Sequence, residues 1–168
     1  MWDNEPERLE PVDAPQLESG APIPNVLACE YSLIFTYGLQ NPSLFDGEVP
    51  RTDTPIDRGT FAVIVVSLCH AVRFGPPNDE AIHGHRLYHL GLRPYSAFEV
   101  MNSSWIAEME MANRVHPYHD VGAYRTRRHF IFTFHDTTLE FVAHGFKVAF
   151  RRGPVKGLIG DLWDATEY

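Results

Sequence analysis

Residues 128–150 read RHFIFTFHDTTLEFVAHGFKVAF, and this stretch decides the fold. Phe130, Phe132 and Phe134 alternate with His129, Ile131, Thr133 and His135, the period of two that sends neighbouring side chains to opposite faces of a strand. Asp136, Thr137 and Thr138 supply turn chemistry, after which Leu139, Phe141 and Ala143 alternate with Glu140, Val142 and His144. The pattern predicts a long antiparallel hairpin, with Phe146, Val148 and Phe150 extending the return strand past a bulge at Gly145. The phenylalanine face is expected to be core.

Upstream, Ser96 to Met101 reads as another strand, and Asn102, Ser103 and Ser104 can cap a helix from about Trp105 to Arg114. Val26 to Tyr37 alternates as a half-buried strand, whereas Phe61 to His70 is apolar on both faces, the mark of a covered central strand. Gly75-Pro76-Pro77 stops that run. Asn78 followed by Asp79 and Glu80 resembles a helix cap with acids in the first turn, opening a short helix to about Leu90. Residues 38–60 read as a long loop and residues 158–168 as a short helix docking Leu162 and Trp163. The sum predicts an α+β class: a curved, mainly antiparallel sheet or partial barrel of about five strands packed on one or two short helices. A flat sheet with one solvated face is the alternative.

The 168 residues, 44% of them apolar, suffice for one hydrophobic core, and no stretch approaches the roughly 20 apolar residues of a membrane span. Net charge is −8, unevenly spread. Residues 1–24 carry Asp3, Glu5, Glu7, Glu10, Asp13 and Glu18 against Arg8 alone, with five prolines, so they are expected to be a flexible acidic arm before a single domain at 25–168. Such an arm is either a solvated extension or a docking element for a basic protein partner, as in an accessory or immunity-type protein. An acidic N-terminus without a basic-then-apolar leader suggests a cytoplasmic location. Cys29 and Cys69, each inside an apolar run, read as reduced thiols.

All nine histidines fall between His70 and His144. His83 and His85 lie two apart, and a divalent metal such as zinc would need a third ligand beside them, from His135, His119 or Glu99. The bland alternative is that histidines near turns bond carbonyls or meet solvent. Asn78, Asp79 and Glu80 place potential ligands just before that pair, although capping alone accounts for them.

The polar sheet face offers a second constellation, with His135 set against Glu99 or Glu140 as an acid–base pair, since histidine titrates near neutral pH, and Asp79 of the 78–80 loop is a further carboxylate that could serve with the histidines. The candidate catalytic residues are therefore His135, Glu99 and Asp79. Asn78, Glu80, Arg128 and Glu140 are candidate ligand-binding residues, and His83 and His85 candidate metal ligands. The chemistry these would support on a small molecule is hydrolysis, isomerisation or lyase-type proton transfer. A solvated face explains the same alternation without any chemistry.

Nucleophilic catalysis lacks support. Cys69 and His70 are adjacent strand residues and point to opposite faces, and no Gly-x-Ser-x-Gly elbow is present. Arg125, Arg127 and Arg128 before an aromatic strand raise nucleic-acid binding, but the phenylalanines are better placed as core and the whole chain is acidic.

Overall fold

The computed structural model describes residues 5–19, 22–39 and 60–152. In chain order its strands are β1 (Arg8–Pro11), β2 (Asn25–Ala28), β3 (Ser32–Gly38), β4 (Thr60–Ser67), β5 (Ala71–Gly75), β6 (Ala97–Met101), β7 (Arg128–Thr133), β8 (Thr138–Ala143) and β9 (Lys147–Arg152). They form two antiparallel sheets, ordered β1-β6-β7-β8-β5 and β2-β3-β4-β9, and neither closes into a barrel. The helices are short: α1 spans Ser104–Asn113 and α2 spans Val121–Arg125.

The expected hairpin is present, with Phe130 opposite Phe141 and Phe132 opposite Leu139. Its phenylalanine face meets Leu33, Phe35 and Tyr37 of β3 and Ala62, Ile64 and Val66 of β4 in one buried cluster, so the core lies between the two sheets. Phe35 meets Phe132 nearly edge-on, with centroids 5.0 Å apart and planes at 75°, an arrangement favoured by the ring quadrupole. The opposite face of the five-stranded sheet is not solvated. Trp105, Ile106 and Tyr124 pack over Val142, while Ile82, Leu87 and Leu92 cover Val100 and Ile131. That is why β8 is buried along its whole length although its sequence alternates.

Several elements depart from the sequence reading. Beyond Ala143 the chain leaves the hairpin, and β9 pairs with β4 in the other sheet, Val148 opposite Ile64; Gly145 marks a crossover instead of a bulge. Val26 to Tyr37 is a tight hairpin of two strands, not one. Leu68 adopts φ +53°, which breaks the apolar run so that β4 stays in one sheet and β5 joins the other beside β8. Asn78 caps as expected, its Oδ1 accepting from the Ala81 amide at 3.0 Å, but 3-10 turns at Ile82–Gly84 and Tyr88–Leu90 replace a helix.

The largest difference concerns the acidic arm. β1 is the edge strand beside β6, Leu9 facing Val100, and Leu17 is buried and bridges Leu39 of the other side. Glu7 accepts from the Ser104 amide at 2.8 Å, at the start of α1. Within residues 5–19, then, few apolar side chains are enough, because backbone pairing and one carboxylate supply the rest of the anchoring. Residues 40–59 of the loop expected over 38–60, and the helix expected at 158–168, lie outside the described residues.

Candidate functional site

Where the β1 edge of one sheet approaches β9 of the other, a cavity of about 470 Å³ opens. Its apolar wall is made by Phe130 on β7, Val148 on β9 and Phe146 on the crossover from β8 to β9. Its polar rim comes from Glu10 and Asp13 at the end of β1, Glu99 on β6 and Arg128 on β7. Sheet register explains the convergence: Glu10 stands opposite Glu99, and Glu99 opposite Phe130.

Arg128 donates from Nε to Glu99 Oε1 at 2.9 Å and lies 4.8 Å over the Phe130 ring. The Glu99 carboxylate raises the Arg128 pKa, fixing its charge. Glu10 is held by Arg8 at 2.9 Å, while Asp13 is exposed and carries no hydrogen bond or ion pair among the described residues. The rim therefore has more carboxylates than arginines.

A second cluster joins two residues singled out from sequence. His135 Nδ1 lies 2.9 Å from Asp79 Oδ2, and the Tyr95 hydroxyl is 2.9 Å from each. The hydrogen bond to Asp79 raises the His135 pKa, and the same bond leads the causes that hold the Asp79 carboxyl below its ordinary value. With the Asp79 amide donating to His135 O at 2.8 Å, the cluster also pins the segment after cis Pro77 to the β7–β8 turn. Glu99 does not join it: it stands opposite Phe130, whereas His135 lies five residues further on, just past the end of β7, about 16 Å along extended chain.

Glu140 has a third environment, on the helix-covered face. Its Oε2 accepts from His129 Nε2 at 3.0 Å and from Arg86 Nη2 at 3.1 Å, with His85 Nε2 3.8 Å from Oε1. On the far side of the His129 ring, Ser103 Oγ sits 2.8 Å from Nδ1, and Arg86 continues to Glu7 at 2.8 Å. With Nε2 donating to the carboxylate, Nδ1 must accept, so Ser103 donates to it while its own oxygen accepts from the Ile106 amide at 3.3 Å. Ser103, His129 and Glu140 thus form a hydrogen-bonded chain of the types used in hydrolases. All three are buried, Trp105 packs edge-on against His129, and Ser103 is committed to capping α1. The chain reads as a structural clamp joining α1, β7, β8 and the 85–86 turn.

The remaining candidates disperse. His83 is exposed, with Nδ1 3.1 Å from Glu80 O and its ring against Tyr88; the Glu80 carboxylate is exposed, and its backbone amide donates to Asp79. His85 accepts from the Leu87 amide and turns toward Glu140, away from His83. His119 bonds buried Glu110 at 2.8 Å. Among the described residues no three His, Cys, Asp or Glu side chains are grouped to hold a metal ion. No described helix is long and apolar enough to cross a membrane.

Sequence reasoning missed Tyr95, Ser103, Asp13 and Phe146. Only Ser103 had a local signal, as a helix cap; the others reach their sites through long-range pairing. Together the fold and these sites define a two-sheet antiparallel domain with a mixed aromatic and carboxylate cavity at one open edge. No family model matches the chain, and no curated protein and no solved structure matches it.

Proposed function

We propose that this chain is a small-molecule-binding domain whose ligand occupies the cavity between the β1 and β9 edges. The observation that carries the reading is the cavity itself. Its volume of about 470 Å³ falls within the roughly 300–1,000 Å³ of ligand sites, and it combines two aromatic rings with a few convergent polar groups. Half-buried Phe146 and Val148 would take an apolar body, backed by the buried Phe130 ring. The Arg128–Glu99 pair and Asp13 would orient a polar end, with the carboxylate excess favouring a donor-rich or cationic group such as an amine.

The test is a thermal-shift screen of small amines and their neutral and acidic counterparts against the full chain, repeated on Gly145→Leu. A Cβ at Gly145 meets Arg128 Nη1 at 3.9 Å, an ordinary contact, so a longer side chain there enters the cavity without a backbone clash. A ligand at 100-fold its Kd adds about 2.7 kcal/mol, or roughly 5–10 °C at about 2–4 °C per kcal/mol. The reading requires a hit whose shift disappears in Gly145→Leu. Hits that stabilise both proteins equally would refute it.

A second reading, acid–base chemistry on a small molecule, is favoured by the Asp79–His135 pairing at 2.9 Å, with the His135 side chain 45% exposed. It requires a turnover whose pH profile follows His135 and disappears in His135→Gln.

A further inference from the structure

The other end of β8 presents a cluster that neither reading uses. His70, in the β4–β5 turn, and His144, just past β8, bring their rings edge to face with centroids 5.4 Å apart. The His70 amide donates to Val142 O at 2.7 Å, fixing that turn against the strand. His144 Nδ1 lies 3.2 Å from Thr126 O, so the segment carrying Arg127 is tied to the same pair.

Arg127 stacks its guanidinium 3.9 Å over the Tyr124 ring. Its Nε is buried with no hydrogen-bond partner, and so is His70 Nε2. Among the described residues no carboxylate pairs with Arg127, His70 or His144, whereas the neighbouring Arg128 is engaged by Glu99. In a chain of net charge −8 this is a local concentration of cationic side chains without a carboxylate, two of its buried N–H positions unpartnered. Burial first, and then the charges of Arg127 and His144, push the His70 pKa down.

We propose that Arg127, His70 and His144 form a binding site for a small oxyanion, inorganic phosphate or the phosphoryl end of a small monoester. A guanidinium fork and imidazolium N–H groups are suited to phosphoryl oxygens, and such charge-assisted bonds are among the stronger ones available. The stacked Tyr124 ring holds the fork in place before the anion arrives. Bound anion favours the protonated imidazole, so occupancy and the charge of His70 rise together.

The experiment titrates inorganic phosphate into the full chain at constant ionic strength and follows the histidine Cε1–H signals by NMR. His70 and His144 signals are expected to shift saturably, with the His70 pKa rising, while those of exposed His83 stay still. Arg127→Gln should weaken the saturation about tenfold. If that variant loses its fold, His144→Gln on the exposed side of the site carries the same comparison. A parallel titration with methyl phosphate separates the two ligand sources. Saturation by either anion supports the site, and failure of both overturns it. Shifts that are linear and equal in all histidines, or unchanged in the variants, would also overturn it.

Discussion

Replacing Glu140 by alanine removes the acceptor on which His129, Arg86 and His85 converge. His129 is fully buried, so its Nε2–H is left with neither protein nor solvent partner, a penalty of about 1–3 kcal/mol by itself. Arg86 keeps Glu7 and is 35% exposed, so less is lost there. Breaking a buried pair from one side costs about 3–5 kcal/mol, a large part of the roughly 5–15 kcal/mol that holds a domain folded. Urea unfolding at pH 7.5, followed by far-UV circular dichroism, measures it.

The pH dependence follows from the same groups. Burial pushes the Glu140 carboxyl up, but bonding from His129 and His85 and the charge of Arg86 outweigh it and hold the group well below the usual carboxylate range. Its stabilisation is complete above its ordinary pKa of 4.5 and is lost as pH falls below that. Burial likewise lowers the pKa of His129, against the pull of Glu140. The unfolded chain then takes up this proton near 6.5 while the native one resists, so stability declines as pH drops through that region too. The wild type should lose stability from pH 7.5 to 4, and His129→Leu combined with Glu140→Leu should recover most of what either single change costs. A Glu140→Ala loss below about 1 kcal/mol would refute the clamp.

Deleting residues 1–11 should destabilise the chain and expose the β6 edge, because β1 and the Glu7 cap go with them; unchanged urea midpoints would restore the picture of a free arm. Phe132→Ala should cost about 3–5 kcal/mol, since its fully buried ring touches Phe35 and Phe141 across and along the sheets. Asp79→Asn should lower the His135 pKa in an NMR titration. Because that pKa is raised in the native protein, the His135 contribution is present below about 6.5 and is lost as pH rises through the higher native value, the opposite sign to Glu140. An unshifted His135 would disconnect the pair.

The phenylalanine strands were legible because β7 and β8 are neighbours in sequence and bury one face by strict alternation. What alternation could not show is the environment of the second face: His129 and Glu140 look like solvated positions until Trp105 packs on His129 and Arg86 and His85, from a distant segment, close on Glu140. Gly145 interrupts the period in the same way whether the chain bulges or changes sheets, and only the pairing of Val148 with Ile64 distinguishes the two. His83 and His85 shared one side of an extended segment only on paper, because a 3-10 turn at Ile82–Gly84 rotates them apart. Asp79 and His135 did meet, through a contact between residues 56 apart that no local pattern encodes. The acidic arm misled for a different reason: its composition argued against burial, yet edge pairing needs backbone more than side chains.

Backbone amide shifts recorded while a stabilising small amine is titrated into the full chain test the cavity most directly. The account predicts saturable changes concentrated at Asp13, Glu99, Arg128, Gly145, Phe146 and Val148, absent from Gly145→Leu. Saturable changes centred anywhere else, with these six residues silent, would contradict it.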